Sequence, residues 1–215
     1  MKVCIVLNGE IKNYDKTKEI ILNEKYDFII GADGGCNHLY KMNIMPNYVV
    51  GDLDSIDEKL IEYYKESNVI LKKYPTHKDE TDSEICLYIA KDLNAKSVDF
   101  IGILGGRIDH TLANIGLLLN SKNMNIFTRI LSSEEEIIVL KDEEFMLKGK
   151  KGNTVSIVSI DGEAQGINLD KFEYPLNDGK IGYLSPLGIS NVMVEDNAYI
   201  KVNKGSLLVI RNLEV

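Results

Sequence analysis

The chain contains few basic residues and few cysteines. The first shortage limits the partners that it can bind, and the second limits the cysteine chemistry that it can carry. Of its 215 residues, 25 are Lys or Arg and 33 are Asp or Glu, so the formal net charge is −8. Nucleic-acid binding depends on basic patches that release counterions, so this balance argues against a nucleic-acid partner. The three cysteines are widely spaced and form no C-x-x-C pair, which favours buried thiols.

Long apolar runs are also missing. The first one, residues 3–7, is too short for a signal peptide, and Asn8-Gly9 follows it directly. No segment approaches the ~18 apolar residues that a membrane span needs. With 44% hydrophobic and 27% charged residues, the composition is that of a globular protein with a sizeable core. We therefore expect a cytoplasmic protein without a membrane partner.

Through about residue 125 the sequence repeats one pattern: an apolar strand, a polar or glycine-rich loop, and a helix. Strands are predicted at residues 3–7, 27–30, 48–51, 68–72 and 98–104. The first of them is a continuous apolar run, which is typical of parallel strands that are covered on both faces. The pattern predicts a three-layer α/β/α domain with a mostly parallel sheet.

The pattern changes after residue 145, where helical periodicity disappears. Short β-rich runs follow, separated by turn sequences such as Asp161-Gly162, Asn177-Asp178-Gly179 and Lys204-Gly205. Short strands with frequent turns predict a small antiparallel β-sandwich or barrel. The expected fold class is thus α/β + β, with an α/β domain at residues 1–135 and a β-sandwich domain at residues 136–215.

Four polar loops each follow a predicted strand, at residues 31–35, 51–55, 76–82 and 105–110. The carboxyl ends of parallel strands meet at one edge of a sheet, where open α/β sheets bind ligands. These loops contain Asp33, Asp52, Asp54, Asp79, Glu80, Asp82 and Asp109, together with Lys78, Arg107 and His110.

Asp52 and Asp54 follow the strand at 48–51 directly. At i and i+2 of a strand their side chains point to the same face, with Cα atoms about 6.5 Å apart. Two carboxylates at about 4 Å repel by roughly 4 kcal/mol at an effective dielectric of about 20, and a bound Mg²⁺ reverses that sign. Taken alone, the pair is equally compatible with an Asx turn. Together with the cations of the other loops, it suits a magnesium polyphosphate and phosphoryl-type transfer.

Several common alternatives to this chemistry are absent from the sequence. The 31–35 loop lacks the Gly-Lys-Ser/Thr ending of a Walker A motif and is not a full G-x-G-x-x-G. No serine or cysteine lies in a nucleophile elbow, and the three histidines lack zinc-like spacing.

Four segments, in order, resemble the motifs of the thiamin pyrophosphokinase family: GADGG at 31–35, GDLDS at 51–55, KDETDSE at 78–84 and GGRIDHTLAN at 105–114. In addition, YPL at 174–176 and LGISN at 187–191 are similar to the thiamin-binding segment of that family. The resemblance implies an α/β catalytic domain and a β-sandwich domain. It also implies transfer of the pyrophosphoryl group of ATP to the hydroxyethyl group of thiamin, giving thiamin diphosphate and AMP.

The same resemblance implies the roles of individual residues. Mg²⁺ is the expected cofactor, ATP the co-substrate, and the expected assembly is a homodimer whose thiamin sites are shared between subunits. The catalytic and metal-binding residues would be Asp52, Asp54 and Asp82; the ATP-binding residues Asp33, Gly34, Gly35, Thr81 and Arg107; and the thiamin-binding residues Asp109, Ser190 and Asn191.

Each assignment has a structural alternative. Asp82 and Asp109 can be helix caps, Arg107 a surface ion pair, and Ser190-Asn191 a turn. Two other functions compete for the whole chain. One is a haloacid-dehalogenase-type phosphatase, because residues 49–55 loosely match the Asp-x-Asp loop of such enzymes. This hypothesis predicts an aspartyl-phosphate intermediate. The other is a non-enzymatic nucleotide- or thiamin-binding module on the same scaffold.

Overall fold

The computed structural model describes residues 1–75 and 79–213. The chain forms two compact units, Met1–Ser133 and Glu134–Val215. The boundary predicted from the sequence lay two residues further along the chain. In the described part of the chain, no helix has both the length and the apolar character that are needed to cross a membrane.

The first unit alternates strands and helices from end to end. Its elements are β1 (Lys2–Val6), α1 (Tyr14–Asn23), β2 (Phe28–Ala32), α2 (Gly35–Lys41), β3 (Tyr48–Gly51), α3 (Glu58–Glu66), β4 (Ile70–Lys73), α4 (Asp82–Asp92), β5 (Ser97–Ile101), α5 (Ile108–Lys122) and β6 (Phe127–Leu131).

The strands of this unit form a sheet in the order β6-β5-β1-β2-β3-β4, and each neighbouring pair is parallel. The chain proceeds outward from β1 to β4, then returns to place β5 on the other side of β1. Because such crossovers are right-handed, this reversal puts α1 to α3 on one face of the sheet and α4 and α5 on the other. The predicted α/β/α domain is confirmed, and the reversal makes β1 and β5 the topological switch point.

Each connection from a helix to the following strand contains one non-glycine residue in the left-handed region. Four of these residues are asparagines, whose short polar side chain tolerates that conformation better than most. Their φ angles lie between 51° and 59°, at Lys25, Asn43, Asn68, Asn94 and Asn125. These residues turn the chain back into the sheet at the amino ends of the strands.

A buried ionic network lies in the middle of the same sheet. Asp99 of β5 is fully buried, and Arg129 donates to both of its oxygens, with Nε–Oδ1 at 2.7 Å and Nη2–Oδ2 at 2.6 Å. The Tyr26 hydroxyl donates to Asp99 Oδ2 at 2.7 Å, and Lys2 Nζ lies 3.3 Å from that oxygen. Burial, together with the charge of Asp99, raises the pKa of the neighbouring Cys4 thiol, which stays protonated.

The second unit is built from strands alone. They are β7 (Glu135–Lys141), β8 (Glu144–Lys148), β9 (Thr154–Ser159), β10 (Ala164–Asp170), β11 (Leu176–Ile181), β12 (Gly188–Val192), β13 (Asn197–Lys201) and β14 (Ser206–Asn212). Within the unit they are ordered β12-β9-β14-β7 and β11-β10-β13-β8, and the pairs are antiparallel. This confirms the antiparallel β prediction.

One predicted turn in this unit is wrong. Residues 177–179 lie inside β11 rather than between strands. Asp178 has a φ of 53°, and the register between β10 and β11 shifts there, so the pairing continues through an irregularity. Ile181 is the one buried residue of β11. Because the other residues of the strand need not be apolar, the sequence shows no alternation of apolar and polar residues that would identify it.

Candidate active site

A cleft of about 1060 Å³ opens at the carboxyl edge of the sheet in the first unit. Its walls come from the loops that follow β1, β2 and β5 and from the first turns of α4 and α5. Five of the predicted site residues line it: Asp33, Thr81, Asp82, Arg107 and Asp109. The sheet therefore brings together segments that are up to 76 positions apart in the sequence. Residues 76–78 of the predicted third loop, including Lys78, lie outside the described residues.

Three carboxylates meet at this edge. Asp33, Asp52 and Asp54 each offer an oxygen, and these oxygens lie within 4.8 Å of one another. The sequence predicted the pair Asp52 and Asp54 but assigned Asp33 to the nucleotide. Asp33 has a φ of 46°, and its N–H donates to the carbonyl of Val50 at 2.7 Å. This hydrogen bond ties the loop after β2 to β3, whose end carries the other two aspartates.

The cluster is electrostatically incomplete by itself. Asp33 Oδ1 is buried and has no hydrogen-bond partner in the described part of the protein. A hydrogen bond to Asp52, some loss of hydration and the charge of Asp52 raise the pKa of the exposed Asp54. An unpartnered buried carboxylate oxygen is costly unless a cation or a donor satisfies it. A set of carboxylate oxygens fits the preference of Mg²⁺ for hard oxygen ligands.

The loop after β3 is both an Asx turn and part of the acidic cluster. Asp54 N–H donates to Asp52 Oδ1 at 3.2 Å, and Leu53 between them has a φ of 70°. The Asn37 amide of α2 donates to the carbonyl of Ser55 at 3.0 Å and holds the far end of the loop. The two interpretations of Asp52-x-Asp54, an Asx turn and a pair of metal ligands, are therefore compatible, because the turn orients both carboxylates.

The glycines of the 31–35 loop are required by close packing. A Cβ on Gly35 would lie 2.0 Å from the carbonyl oxygen of Val6, and one on Gly34 would lie 2.3 Å from Cγ of Asn8. Both glycines are buried. The structure thus gives them a packing role, and contact with ATP stays a prediction.

The amino end of α4 carries Thr81 and Asp82. Thr81 is the N-cap residue of a capping box: its hydroxyl accepts from Glu84 N–H at 3.3 Å, and its N–H donates to Glu84 Oε2 at 2.9 Å. Asp82 is the first residue of the helix and lines the cleft, but it is not part of the group of carboxylates within 4.8 Å. Its predicted role as a metal ligand stays a prediction.

Arg107 and Asp109 form an exposed ion pair at the amino end of α5. Arg107 Nε lies 3.1 Å from Asp109 Oδ1, and Nη2 lies 2.5 Å from Oδ2. The side chains are 72% and 60% exposed. Hydrogen bonding to Arg107 lowers the pKa of Asp109, and the same contact raises the pKa of Arg107. The pair presents an anion-binding and a cation-binding group side by side.

The sequence missed the loop that follows β1. Asn8, Gly9 and Glu10 line the cleft, and Gly9 N–H donates to the carbonyl of Gly102 at 2.6 Å while Glu10 N–H donates to Leu104 at 2.9 Å. This loop lies at the switch point, next to the loop after β5. No motif marks it, because its position in the site depends on the strand order, which is a property of the whole sheet.

Ser190 and Asn191 belong to the second unit. Ser190 is exposed in a left-handed conformation with φ 59°, and its N–H donates to Ser156 Oγ at 3.1 Å. Asn191 is only 5% exposed, and its amide bonds the backbone of Tyr174 through Oδ1 at 3.0 Å and Nδ2 at 2.8 Å. Large apolar side chains of this unit are also exposed, namely Tyr174, Tyr183, Leu184, Leu187 and Ile189.

Comparison with known proteins assigns both units to one family, the family that the sequence motifs resemble. A family model described as the thiamin pyrophosphokinase catalytic domain matches residues 21–128. A second, described as the thiamin pyrophosphokinase vitamin B1 binding domain, matches residues 135–207.

Individual relatives agree with the family models. The thiamine pyrophosphokinase of Bacillus subtilis is 30% identical over 192 residues, which cover 89% of this chain and 90% of the relative. A crystal structure of the Bacillus subtilis enzyme covers 100% of both chains with a TM-score of 0.88 at 26% identity. The thiamin pyrophosphokinase of Candida albicans shares the fold, with a TM-score of 0.82 at 19% identity over 99% of this chain and 89% of its own. The chain belongs to the thiamin pyrophosphokinase family.

Proposed function

We propose that this protein transfers the pyrophosphoryl group of ATP to the hydroxyl of the hydroxyethyl group of thiamin, giving thiamin diphosphate and AMP, in the cytoplasm. The observation that carries the proposal is the cleft, which gathers acidic groups and an arginine at the switch point of a chain that matches both family domains. The phosphatase alternative is not favoured, because it gives no role to residues 105–114 or to the second unit.

Asp33, Asp52 and Asp54 are the residues that would hold Mg²⁺, with Asp82 as a further ligand from the cleft wall. The support is the convergence of three carboxylates and the buried Asp33 oxygen that has no partner among the described residues. Bound there, Mg²⁺ neutralises negative charge on the polyphosphate. The protein's own part is to keep the carboxylates aimed at one point through the Asp52 turn and the Asp33–Val50 hydrogen bond.

The nucleotide is assigned to Thr81 and Arg107 of the cleft wall and to Asp33, Gly34 and Gly35 of the loop after β2. The guanidinium of Arg107 has a planar set of donors that matches phosphate oxygens. Its bidentate contact with Asp109 fixes its orientation before a phosphate binds. Because the Thr81 hydroxyl is used in the capping box, we expect its effect on the nucleotide to come mainly through the position of the helix start.

Thiamin is assigned to Asp109, Ser190 and Asn191, and the carboxylate of Asp109 suits its cationic ring or its amino group. The thiamin oxygen forms a bond to the β-phosphorus, and the bond from that phosphorus to the oxygen shared with the α-phosphate breaks. AMP leaves with the electron pair, and the hydroxyl proton passes to a carboxylate of the cleft or to water. Such transfers depend on alignment and charge neutralisation more than on a strong base.

The protein is proposed to be a homodimer in which each thiamin site joins the first unit of one subunit to the second unit of its partner. Exposed apolar side chains of the second unit, such as Leu184, Leu187 and Ile189, support an interface on that unit. Isologous contacts of this kind are the commonest in soluble oligomers.

The reaction is tested by incubating the protein with Mg·ATP and thiamin and identifying the products. AMP and thiamin diphosphate in equal amounts are expected. ADP or inorganic phosphate as the only product would overturn the proposal, and a phosphorylated aspartate would favour the phosphatase.

Site sharing is tested separately with two inactive variants, Asp52→Asn and Asn191→Ala. Random reassortment makes about half of the dimers mixed, and each mixed dimer holds one intact site, so about a quarter of wild-type activity should return. Activity is measured after co-refolding equal amounts at subsaturating thiamin. If no activity returns beyond the two residual rates, each site is formed by one chain.

A further inference from the structure

A hydrogen-bonded path in the cleft wall connects α5 to the start of α4. Asn114 Nδ2 donates to the carbonyl of Ile103 at 3.1 Å, and Asn114 Oδ1 accepts from Ser83 Oγ at 3.1 Å. Ser83 Oγ in turn lies 3.0 Å from Thr81 Oγ1. All four residues line the cleft. A single amide therefore joins the loop after β5, the helix α5 and the helix α4.

The hydroxyl and amide groups of the path donate their hydrogen bonds in a defined direction. A carboxamide oxygen only accepts, so the single hydroxyl proton of Ser83 is directed to Asn114. The Thr81 hydroxyl then donates to Ser83 or to Glu84 Oε2, which lies 3.0 Å from it. Ser83 is only 4% exposed, so water does not readily replace Asn114 as the acceptor. This pair of side chains thus forms a direct hydrogen bond between the two helices near their cleft ends.

We propose that Ser83 and Asn114 are positioning residues that set the spacing between Asp82 at the start of α4 and Asp109 at the start of α5. The inference rests on the proposed function, which gives Asp82 to the metal and Asp109 to thiamin. Ser83 follows Asp82 directly, and Asn114 lies on the helix that begins with Ile108 and Asp109. Neither Ser83 nor Asn114 is assigned a contact with a substrate.

The expected consequence follows from the geometry of group transfer. The attacking oxygen, the phosphorus and the leaving oxygen must be in line, and a misplacement of about 1 Å costs about a hundredfold in rate. Each substrate still meets its own binding groups when the two helix starts shift slightly apart. Loss of the path should therefore lower kcat much more than it raises the KM of either substrate.

The test uses Ser83→Ala, Asn114→Ala and the double variant, with kcat, both KM values and Tm measured for each. Each single change should lower kcat by about 10- to 100-fold, as loss of a supporting contact does in other sites, with both KM values within about threefold of wild type. The double variant should lose no more than the worse single variant, because both changes break the same path. Asn120→Ala is the matched control: it removes an exposed asparagine from the same helix and should behave as wild type.

Three outcomes would overturn the proposal. They are a wild-type kcat for Ser83→Ala, a loss in the double variant equal to the product of the single losses, or a kcat loss that matches the unfolded fraction at the assay temperature. Asn114→Asp keeps the acceptor for Ser83 and removes the donor to Ile103, so it shows which half of the path matters if Asn114→Ala folds poorly. Failure of the proposed function would appear in the wild-type protein instead, as absence of AMP.

Discussion

Two acidic groups of the first unit differ in the partners that the described part of the chain gives to their buried oxygens: Asp99 in β5, and the cluster of Asp33, Asp52 and Asp54. Asp99, in the middle of β5, is fully buried, and Arg129, Tyr26 and Lys2 satisfy it. At the carboxyl edge, Asp33 meets two other carboxylates, and one of its buried oxygens has no partner in the described part of the chain. One group has all its partners within the protein, and the other keeps a buried oxygen without a partner among the described residues.

The difference indicates what each group is for. A buried carboxylate whose partners are all present holds the fold, because removing one partner leaves an uncompensated charge. A cluster of like charges destabilises the fold by itself and is useful only when a ligand neutralises it. Substitution of Asp99 should therefore lower mainly the stability, and substitution in the edge cluster should lower mainly the activity.

The largest effect is expected from Asp52→Asn, which should lower kcat by about a thousandfold or more, the range seen when one charged group is lost from a phosphoryl-transfer site. Tm without Mg²⁺ should be unchanged or higher, because like-charge repulsion is relieved. Asp57→Asn is the matched control, since Asp57 caps α3 at 2.8 Å from Lys59 N–H and asparagine caps equally well. A near-normal Mg²⁺-dependent rate for Asp52→Asn would contradict the metal assignment.

The opposite pattern is expected from Asp99→Asn. It leaves Arg129 without its main partner in a mostly buried position, so the free energy of unfolding should fall by about 3 kcal/mol. The kcat per folded molecule should stay at the wild-type value, and urea denaturation gives the loss of stability. Glu195→Gln, which removes an exposed ion pair with Lys171, should change the free energy of unfolding by less than about 1 kcal/mol. Equal losses in the two variants would show that burial of the Asp99 network adds nothing.

A smaller effect is expected from Asp109→Ala. The KM for thiamin should rise about tenfold, while the KM for ATP should change about threefold or less, because the proposed partner of the lost carboxylate is the thiamin cation and not a phosphate. Steady-state kinetics with each substrate varied in turn gives both values. Equal increases would indicate that Asp109 acts by capping α5 or by orienting Arg107.

The smallest effect is expected from Arg107→Ala on the titration of Asp109. Arg107 holds the pKa of Asp109 below its ordinary value, so the pair stabilises the fold above the pKa of the unfolded chain, and this stability is lost as pH falls through the folded pKa. Without Arg107 the pKa of Asp109 should rise toward its ordinary value, and the effect on stability should be small because the pair is exposed. NMR titration of a ¹³C-labelled carboxyl gives the value, with Lys122→Ala at the other end of α5 as the control. An unchanged pKa would mean that the pair does not form in solution.

Local patterns in the sequence were sufficient for much of the fold. The predicted strand at 48–51 is β3, and α4 begins at Asp82, where the sequence indicated the start of a helix. These features depend on residues that are close in the sequence, such as the Thr81–Glu84 capping box. The sequence also predicted that the polar loops meet at one edge of the sheet, because this requires only that the strands are parallel and not that their order is known.

The remainder depended on contacts between distant residues. The third carboxylate of the cluster, Asp33, joins the other two only because β2 and β3 are neighbours and because Asp33 adopts a left-handed conformation. Asn8 and Glu10 enter the cleft because β1 lies beside β5, which no local pattern predicts. The strand β11 was missed because its residues are mostly exposed and its register is irregular.

The left-handed residues between the helices and the following strands make the amino edge of the first sheet suitable for insertion. The candidate cleft lies at the opposite edge, so a reporter group placed at the Asn94 turn would be separated from it by the length of β5. Five residues of strand at about 3.3 Å each give a separation of roughly 16 Å. A fluorescent label at Asn94 or Asn68 should report on folding of the sheet while leaving catalysis undisturbed.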